Sequence, residues 1–161
     1  MDPCVKGSPL VKRNSRFSVA LHALIQMAER NGEPTTSEQL AACLMTNAVV
    51  VRRTMAGLRD AGLVRSMAGH GGGWILMRDP ATTSLRDVYT ALGESTLSGA
   101  GSVESPGCLV EQAIAGLMQD FRSQAEALLI ELLGNSTLAD ISAAVRRLME
   151  KHKGRRMLHV A

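Results

Sequence analysis

The chain contains 161 residues, a length typical of one domain with at most a small appendage. Hydrophobic residues account for 45% of the chain and aromatic residues for only 2%, so we expect an aliphatic core of the kind found in helical bundles. No run of about 18 apolar residues occurs, and the first ten residues lack an apolar segment, so we expect neither a membrane span nor a secretory signal.

The formal net charge of +3 is unevenly distributed along the chain. Residues 1–80 carry ten Lys/Arg against six Asp/Glu, whereas residues 81–150 carry four against nine. Residues 151–161 carry four Lys/Arg and no acidic residue. A basic front half suits a polyanionic partner that is met by one face of the protein. Scattered, solvated surface charge is the alternative interpretation of the same pattern.

The three cysteines, at positions 4, 43 and 108, are odd in number and far apart. We therefore expect no disulfide framework, and no zinc site because no CxxC or CxxH pair occurs. Cys43 is expected to pack as a small core residue, with a sensor role as the alternative. The cysteine usage fits a reducing cytoplasm. We expect no enzyme activity, since GHGGGW lacks the Lys-Ser/Thr of a phosphate loop and no paired carboxylates or nucleophile elbow occur.

The amino-terminal segment is interpreted as a disordered or non-native extension over residues 1–11, which contain Pro and Gly and show no periodicity. A helix follows over about residues 14–30, where apolar residues recur at helical spacing. Lys12, Arg13 and Arg16 stand at its start. They are candidates for phosphate contacts, and an ordinary exposed helix end is the alternative.

Two helices joined by a tight turn are predicted next. Thr36-Ser37-Glu38-Gln39 is a capping-box pattern that opens the first of them. After a break at Met45-Thr46, Asn47 is a good N-cap for the second, which ends in a left-handed cap at Gly62. Two helices joined by a turn of three or four residues, the second with a cationic outer face, form the helix-turn-helix arrangement.

The second of these helices, called the recognition helix, carries the candidate DNA-contacting residues. Arg can bind guanine through two hydrogen bonds, Asn can read adenine, and Val can meet a thymine methyl group. Surface solvation is the alternative for the arginines, and ordinary packing is the alternative for the valines. The candidate residues are Thr46, Asn47, Val49, Val50, Arg52 and Arg53.

A β-hairpin is predicted directly after the recognition helix. Residues 63–66 and 74–77 are β-compatible, and the glycine-rich stretch 69–73 between them predicts a turn. A hairpin in this position is a wing, whose glycines let the tip lie close to a phosphate backbone. The wing candidates for DNA contact are Arg65, His70, Gly71 and Gly72.

A second capping-box-like pattern, at Ser84-Leu85-Arg86-Asp87, predicts a short helix that should pack the wing onto the body. Residues 94–107 predict a flexible loop. A further helix after Ser136-Thr137 is expected to fold back on the helix that precedes it, and residues 153–161 form a basic tail that we expect to be disordered.

A single long helix is predicted from Leu109 to Leu133, with apolar residues every three or four positions. A helix this long cannot bury such a stripe against a small head domain. A twofold partner helix is the economical solution and predicts a homodimer. The residues expected at the dimer interface are Ile114, Leu117, Phe121, Leu128 and Leu132.

Five stretches together resemble the Rrf2 family of bacterial winged-helix regulators, from about Lys12 to Leu138: SRFSVALHAL, TNAVVVRRTMAGLRDAGLVRS, GHGGGWILMRDP, SLRDVYTAL and PGCLVEQAI. The resemblance implies a mainly α-helical fold with a small β-hairpin wing. It implies a winged helix-turn-helix head over residues 12–93 and a helical dimerisation arm over residues 108–152. The implied function is that of a homodimeric, sequence-specific regulator of double-stranded DNA, which we expect to repress at a palindromic operator.

Family members that hold an iron–sulfur cluster carry three cysteines in the loop before the long helix. Only Cys108 remains here, at a position resembling the last of the three, so a three-cysteine cluster cannot form in one chain. We expect no iron–sulfur cluster and no other cofactor, with a cluster shared across a dimer as the alternative. A thiolate at a helix start is favoured by the helix dipole, which makes Cys108 a candidate redox or electrophile sensor, with a structural role as the alternative.

The chain differs from the family at one wing position. The family often has Arg where this chain has Ala68, so one minor-groove or phosphate contact is missing unless Arg65 or His70 replaces it.

The alternative function is a winged-helix module for protein assembly, which would show no operator preference and little dependence on salt. The effector remains open in either case.

Overall fold

The computed structural model describes residues 16–30, 32–69, 71–93 and 108–157. In these ranges the elements are α1 (Arg16–Ala28), α2 (Ser37–Leu44), α3 (Ala48–Asp60), β1 (Val64–Met67), β2 (Gly73–Leu76), α4 (Leu85–Leu92), α5 (Leu109–Gly134) and α6 (Leu138–Met157). The predicted mainly helical fold with a two-stranded wing is confirmed. No helix in the described part of the chain has both the length and the apolar character that a membrane crossing requires.

The turn between α2 and α3 forms because the residues at its ends cap both helices. The capping box at the start of α2 is present, with the Gln39 amide donating to the Thr36 hydroxyl at 3.1 Å. Met45 ends α2 in the left-handed conformation, at φ 49°. The Asn47 side chain then accepts a hydrogen bond from the Val49 amide at 2.8 Å and opens α3. The predicted break and both predicted caps are confirmed.

The head has an aliphatic core formed where α1, α3 and α4 pack together and α2 and β1 close the ends. Its fully buried large side chains come from almost every element of the head. They include Val19, Leu24, Leu40, Val51, Met55, Leu58, Leu63, Val88 and Leu138. Burying each such side chain contributes about 1.5–3 kcal/mol, so this core supplies most of the favourable free energy of folding.

The wing pairs β1 with β2 in antiparallel register, from Val64 opposite Leu76 to Met67 opposite Gly73. It is joined to the head by Trp74, whose backbone exchanges two hydrogen bonds with Thr35 at 2.9 and 3.0 Å. The Trp74 indole N–H also donates to the Ser37 hydroxyl at 2.9 Å. The start of α2 therefore acts as the attachment point of the wing.

The short helix α4 begins with the predicted capping box, in which the Ser84 amide donates to the Asp87 carboxylate at 2.9 Å. The expectation that α4 packs the wing onto the body was wrong, because α4 packs against α1, α3 and α5 instead. The Tyr89 hydroxyl donates to Glu126 of α5, and its ring meets Phe17 of α1 edge-on with centroids 5.5 Å apart. Helix α4 thus links the head to the long helix.

The last helix, α6, packs mainly against α1 rather than folding back on α5 as expected. Leu138 inserts into the head core with no exposed surface, and Arg146 pairs with Glu29 at 2.8 Å. Helix α6 continues to Met157, so residues 153–157 are helical and not disordered as expected, whereas residues 158–161 lie outside the described residues. The physical reason is that Leu138 gains burial in the head that the narrow surface of α5 does not offer.

Candidate nucleic-acid interface

The outward face of α3 carries the residues that the sequence singled out. Val51, Met55 and Leu58 are buried on the inner face, which turns the opposite face of the helix to solvent. Val49 is 64% exposed and Val50 39% exposed. Large apolar side chains at this exposure do not contribute to the core, so packing does not account for them. The exposed or half-exposed set comprises Thr46, Asn47, Val49, Val50, Arg52 and Arg53.

Asn47 has its predicted capping role at this surface as well as its predicted role in DNA contact. Its side-chain oxygen caps α3 by accepting from the Val49 amide. Reading adenine requires both the oxygen and the nitrogen of an Asn amide. The cap therefore competes with base recognition, and adenine contact by Asn47 stays a prediction.

Arg52 is bound by an acid from the neighbouring helix. Its Nη2 atom donates to Oε1 of Glu38, on the first turn of α2, and the two side chains remain 57% and 61% exposed. A hydrogen bond from its own backbone, and then the nearby charge of Arg52, hold the pKa of Glu38 below its ordinary value. Sequence reasoning treated Glu38 only as part of a capping box. A pair between residues fourteen positions apart on two helices leaves no periodic signal.

A shallow depression of about 290 Å³ lies beside this ion pair. Glu38 and Arg52 line one side of it, and Ser66, Gly72 and Trp74 of the wing line the other. The depression therefore places the ion pair between the recognition helix and the wing.

The glycines of the wing are required by packing. A Cβ atom on Gly72 would lie 2.3 Å from the carbonyl oxygen of Met67, and one on Gly73 would lie 2.7 Å from that of Thr35. Gly71 has a φ of +81°, a conformation that side-chain-bearing residues rarely adopt. The predicted turn is confirmed, whereas contact of Gly71 and Gly72 with a phosphate backbone stays a prediction. Arg65 is exposed on β1, and His70 lies outside the described residues.

The candidate cations at the amino-terminal end of α1 are described only at Arg16. Lys12 and Arg13 lie outside the described residues. Arg16 is half-buried, and its guanidinium group lies about 4.0 Å from the position of a Cβ built on Gly57 of α3. Arg16 therefore packs between α1 and α3, and its predicted phosphate contact remains untested.

The long helix α5 exposes an apolar face. None of its residues is buried. The five residues predicted for the dimer interface, Ile114, Leu117, Phe121, Leu128 and Leu132, are each 53–57% exposed. This exposure is consistent with the expectation that a small head domain cannot bury the stripe of so long a helix.

The two described cysteines differ in state. Cys108 is a free, exposed thiol at the N-cap of α5, and its side chain makes no capping hydrogen bond. Cys43 is half-buried and is disulfide-bonded. The expectation that Cys43 packs as a small core residue was therefore wrong. The expectation of no disulfide framework did not foresee this bond.

A helix-turn-helix followed by a two-stranded wing defines the winged helix-turn-helix class of proteins. The family model for Rrf2, described as an iron-dependent transcriptional regulator, matches residues 13–144. The chain is 34% identical over 131 residues to YwnA of Bacillus subtilis (strain 168), which is assigned as an HTH-type transcriptional regulator. That match covers 80% of this chain and 95% of YwnA. The chain belongs to the Rrf2 family of transcriptional regulators, which also confirms that it is not an enzyme.

Two solved structures are similar in fold. One, described as a DNA-binding protein, has 31% sequence identity and a TM-score of 0.63, and the match covers 79% of this chain and 98% of that one. The other is CymR, the global cysteine regulator of Bacillus subtilis, with 24% identity and a TM-score of 0.56, covering 84% of this chain and 98% of CymR. The second likeness concerns the fold alone.

The family description names iron dependence, and the cysteines of this chain can be compared with the ligands of an iron–sulfur cluster. Iron–sulfur clusters are held mainly by cysteine thiolates, usually four of them, with histidine replacing some in a few centres. The segment before α5 contributes a single cysteine, Cys108, and Cys43 is already disulfide-bonded. Within the ranges that the structure describes, no group of three or more His, Cys, Asp or Glu residues is placed to bind a metal. The described residues of one chain therefore lack the three-cysteine ligand set of the family's iron–sulfur members.

Proposed function

We propose that the protein is a homodimeric, sequence-specific regulator that binds double-stranded DNA and represses transcription at a palindromic operator. The observation that supports this most is the outward face of α3, where exposed valines and arginines stand beside the wing. Apolar and cationic side chains together on an exposed helix suit the major groove, which offers thymine methyl groups as well as guanine acceptors. A surface for protein assembly would not need this combination.

The contacts fall into two kinds under this proposal. Arg52, Asn47, Val49 and Val50 read base edges in the major groove, and the cations Lys12, Arg13, Arg16, Arg53 and Arg65 contact phosphates. His70, Gly71 and Gly72 at the wing tip approach the adjacent backbone. Base contacts confer sequence preference, and phosphate contacts confer affinity that falls with salt.

The apolar face of α5 supports the homodimer. Two copies of this face, related by a twofold axis, would cover the stripe from Ile114 to Leu132. The twofold axis places two recognition helices on one side of the duplex, one or two helical turns apart. A palindromic operator follows from that symmetry.

Cys108 is the proposed point of entry for a redox or electrophile signal. Its thiol is free and exposed, and it stands at the start of α5, the helix that carries the proposed dimer interface. Chemical modification at this point would therefore act on the arm and not on the recognition helix. With a known operator, treatment with an electrophile should reduce the DNA affinity of the wild type and leave a Cys108→Ser variant unchanged. Equal responses of the two proteins would remove Cys108 from the proposal.

The test is affinity selection of sheared genomic DNA by the purified protein under reducing conditions, followed by sequencing. An inverted-repeat motif in the selected DNA is the expected result. A Val49→Glu variant places an acid on the exposed face of α3. It should keep its fold and recover no motif, so it serves as the negative control for selection through this face. Recovery of no motif by the wild type at modest salt would favour the protein-assembly function.

A further inference from the structure

An acidic side chain in a DNA-binding face requires a physical reason. Glu38 is on the first turn of α2, and in helix-turn-helix proteins the first of the two helices crosses the phosphate backbone. A carboxylate near that backbone opposes the counterion release that drives nonspecific binding. A negative charge at Glu38 also interacts favourably with the dipole of α2, but that interaction does not require the Glu38 side chain to contact α3.

The structure shows what Glu38 reaches. Its Oε1 atom accepts from Nη2 of Arg52, and the pair lies along the depression between α2, α3 and the wing. An Arg side chain has five N–H donors in a rigid fork, and this contact is made through Nη2 alone. Donors on the other nitrogens are then left to meet the two acceptors of a guanine edge.

We propose that Glu38 is a specificity-determining residue, which holds Arg52 over the groove and away from phosphates so that its guanidinium group serves a base edge. The inference rests on the proposed function, since it requires an operator. Without Glu38, Arg52 is a mobile cation that neutralises any nearby phosphate equally well on every sequence. Glu38 is a positioning residue in this account, because it acts through Arg52.

The experiment is a double-mutant cycle with Glu38→Gln, Arg52→Gln and the double variant, alongside Glu33→Gln as a charge-matched control. Glu33 is an exposed acid in the turn before α2. Affinity is measured for the selected operator and for a scrambled duplex of equal length, over a range of salt concentrations. Thermal unfolding of each variant establishes that it is folded.

We expect Glu38→Gln to raise the affinity for scrambled DNA by roughly two- to fivefold, the range for an exposed ion pair. The salt slope on scrambled DNA should steepen by about one released counterion. Operator affinity should change less, so the ratio of specific to nonspecific affinity falls. In the Arg52→Gln background the additional Glu38→Gln change should act no more strongly than Glu33→Gln does.

Each other outcome identifies what fails. If the wild type does not distinguish operator from scrambled DNA, the proposed function is wrong and the inference falls with it. If the wild type discriminates but Glu38→Gln changes both affinities equally, only the inference is overturned. Persistence of the Glu38→Gln effect after Arg52 has been replaced would overturn it as well, because a general charge effect would then explain the result.

Discussion

At the scale of single residues, Arg52 enters any encounter with DNA already partly neutralised by Glu38. An exposed ion pair of this kind contributes little to folding stability. We therefore expect replacement of Arg52 to affect the proposed DNA binding more than the stability of the fold. Lys12, in the basic segment that precedes α1, is expected to act through its charge alone.

Arg52→Ala and Lys12→Ala should consequently have different effects on DNA binding. We expect Arg52→Ala to remove about 1–3 kcal/mol of discrimination at particular base pairs, which is typical of a two-hydrogen-bond contact to guanine. Lys12→Ala should weaken binding to all sequences alike and lower the salt slope by about one. Affinities for a set of single-base operator variants measure both effects. Identical behaviour of the two variants would contradict the proposed division of roles.

The capping box of α4 should make a pH-dependent contribution to the stability of the protein. The Ser84 hydroxyl, followed by the Ser84 amide and the charges of Arg78 and Arg86, holds the pKa of Asp87 below its ordinary value. A carboxyl group whose pKa is lower in the folded protein stabilises it above the unfolded pKa, near 3.8, and this stabilisation disappears as the pH falls through the folded value.

Ser84→Ala should therefore destabilise the protein by about 1 kcal/mol at pH 7. The difference from the wild type should shrink as the pH is lowered below about 4, because Asp87 becomes protonated in both proteins. Denaturant unfolding at a series of pH values measures this difference in the free energy of unfolding. Ser123→Ala, on the exposed surface of α5, is the control. A difference that stayed constant down to strongly acidic pH would show that Asp87 is not involved.

At the scale of elements, the wing is held by a close approach of two backbones. Gly73 faces Thr35 so closely that a methyl group has no room, and Trp74 completes the attachment through Ser37. The strands and the glycine-rich turn of the wing were predictable, because they depend on neighbouring residues. The attachment to Thr35 and the packing of α4 against α5 were not, since nothing local in the sequence specifies a distant partner.

Gly73→Ala should loosen this attachment. The added Cβ would lie 2.7 Å from the Thr35 oxygen, and relief of such overpacking typically costs about 1–3 kcal/mol. Because Trp74 is the single tryptophan of the chain, its fluorescence should report the change directly, and DNA affinity should fall with it. Gly116→Ala is the matched control. Its Cβ meets nothing within 4 Å, so it should be neutral or stabilise α5 by up to about 1 kcal/mol.

At the scale of the whole molecule, the apolar side chains fall into two groups, one buried and one exposed. One part forms the head core, which Leu138 of α6 completes. The other part, on α5, remains exposed in the single chain. The periodicity of the sequence predicted the apolar stripe and the length of α5 well. It did not predict that α6 packs against α1 and not against α5. Both helices have apolar patterns in the sequence, and only the folded head determines which of them α6 can contact.

Phe121→Glu should separate the proposed dimer into monomers, because it places a charge in the middle of the apolar face of α5. Sedimentation velocity should show the wild type as a dimer and the variant as a monomer, with operator affinity lowered at least tenfold through loss of the second half-site. Ser123→Glu, which adds the same charge elsewhere on α5, should remain dimeric. A wild-type monomer at micromolar concentration would contradict the proposed assembly.

The position of α4 has a further consequence. This helix contacts both α3 and α5, and Tyr89 connects it to Glu126. At 1.5 Å per residue, the 26 residues of α5 extend over about 39 Å. A tilt of about 5° at one end of that lever displaces the other end by about 3.4 Å, which is the rise of one base pair. In the proposed homodimer, a chemical event too small to reshape the head would therefore be large enough to move the two recognition helices out of step with the duplex.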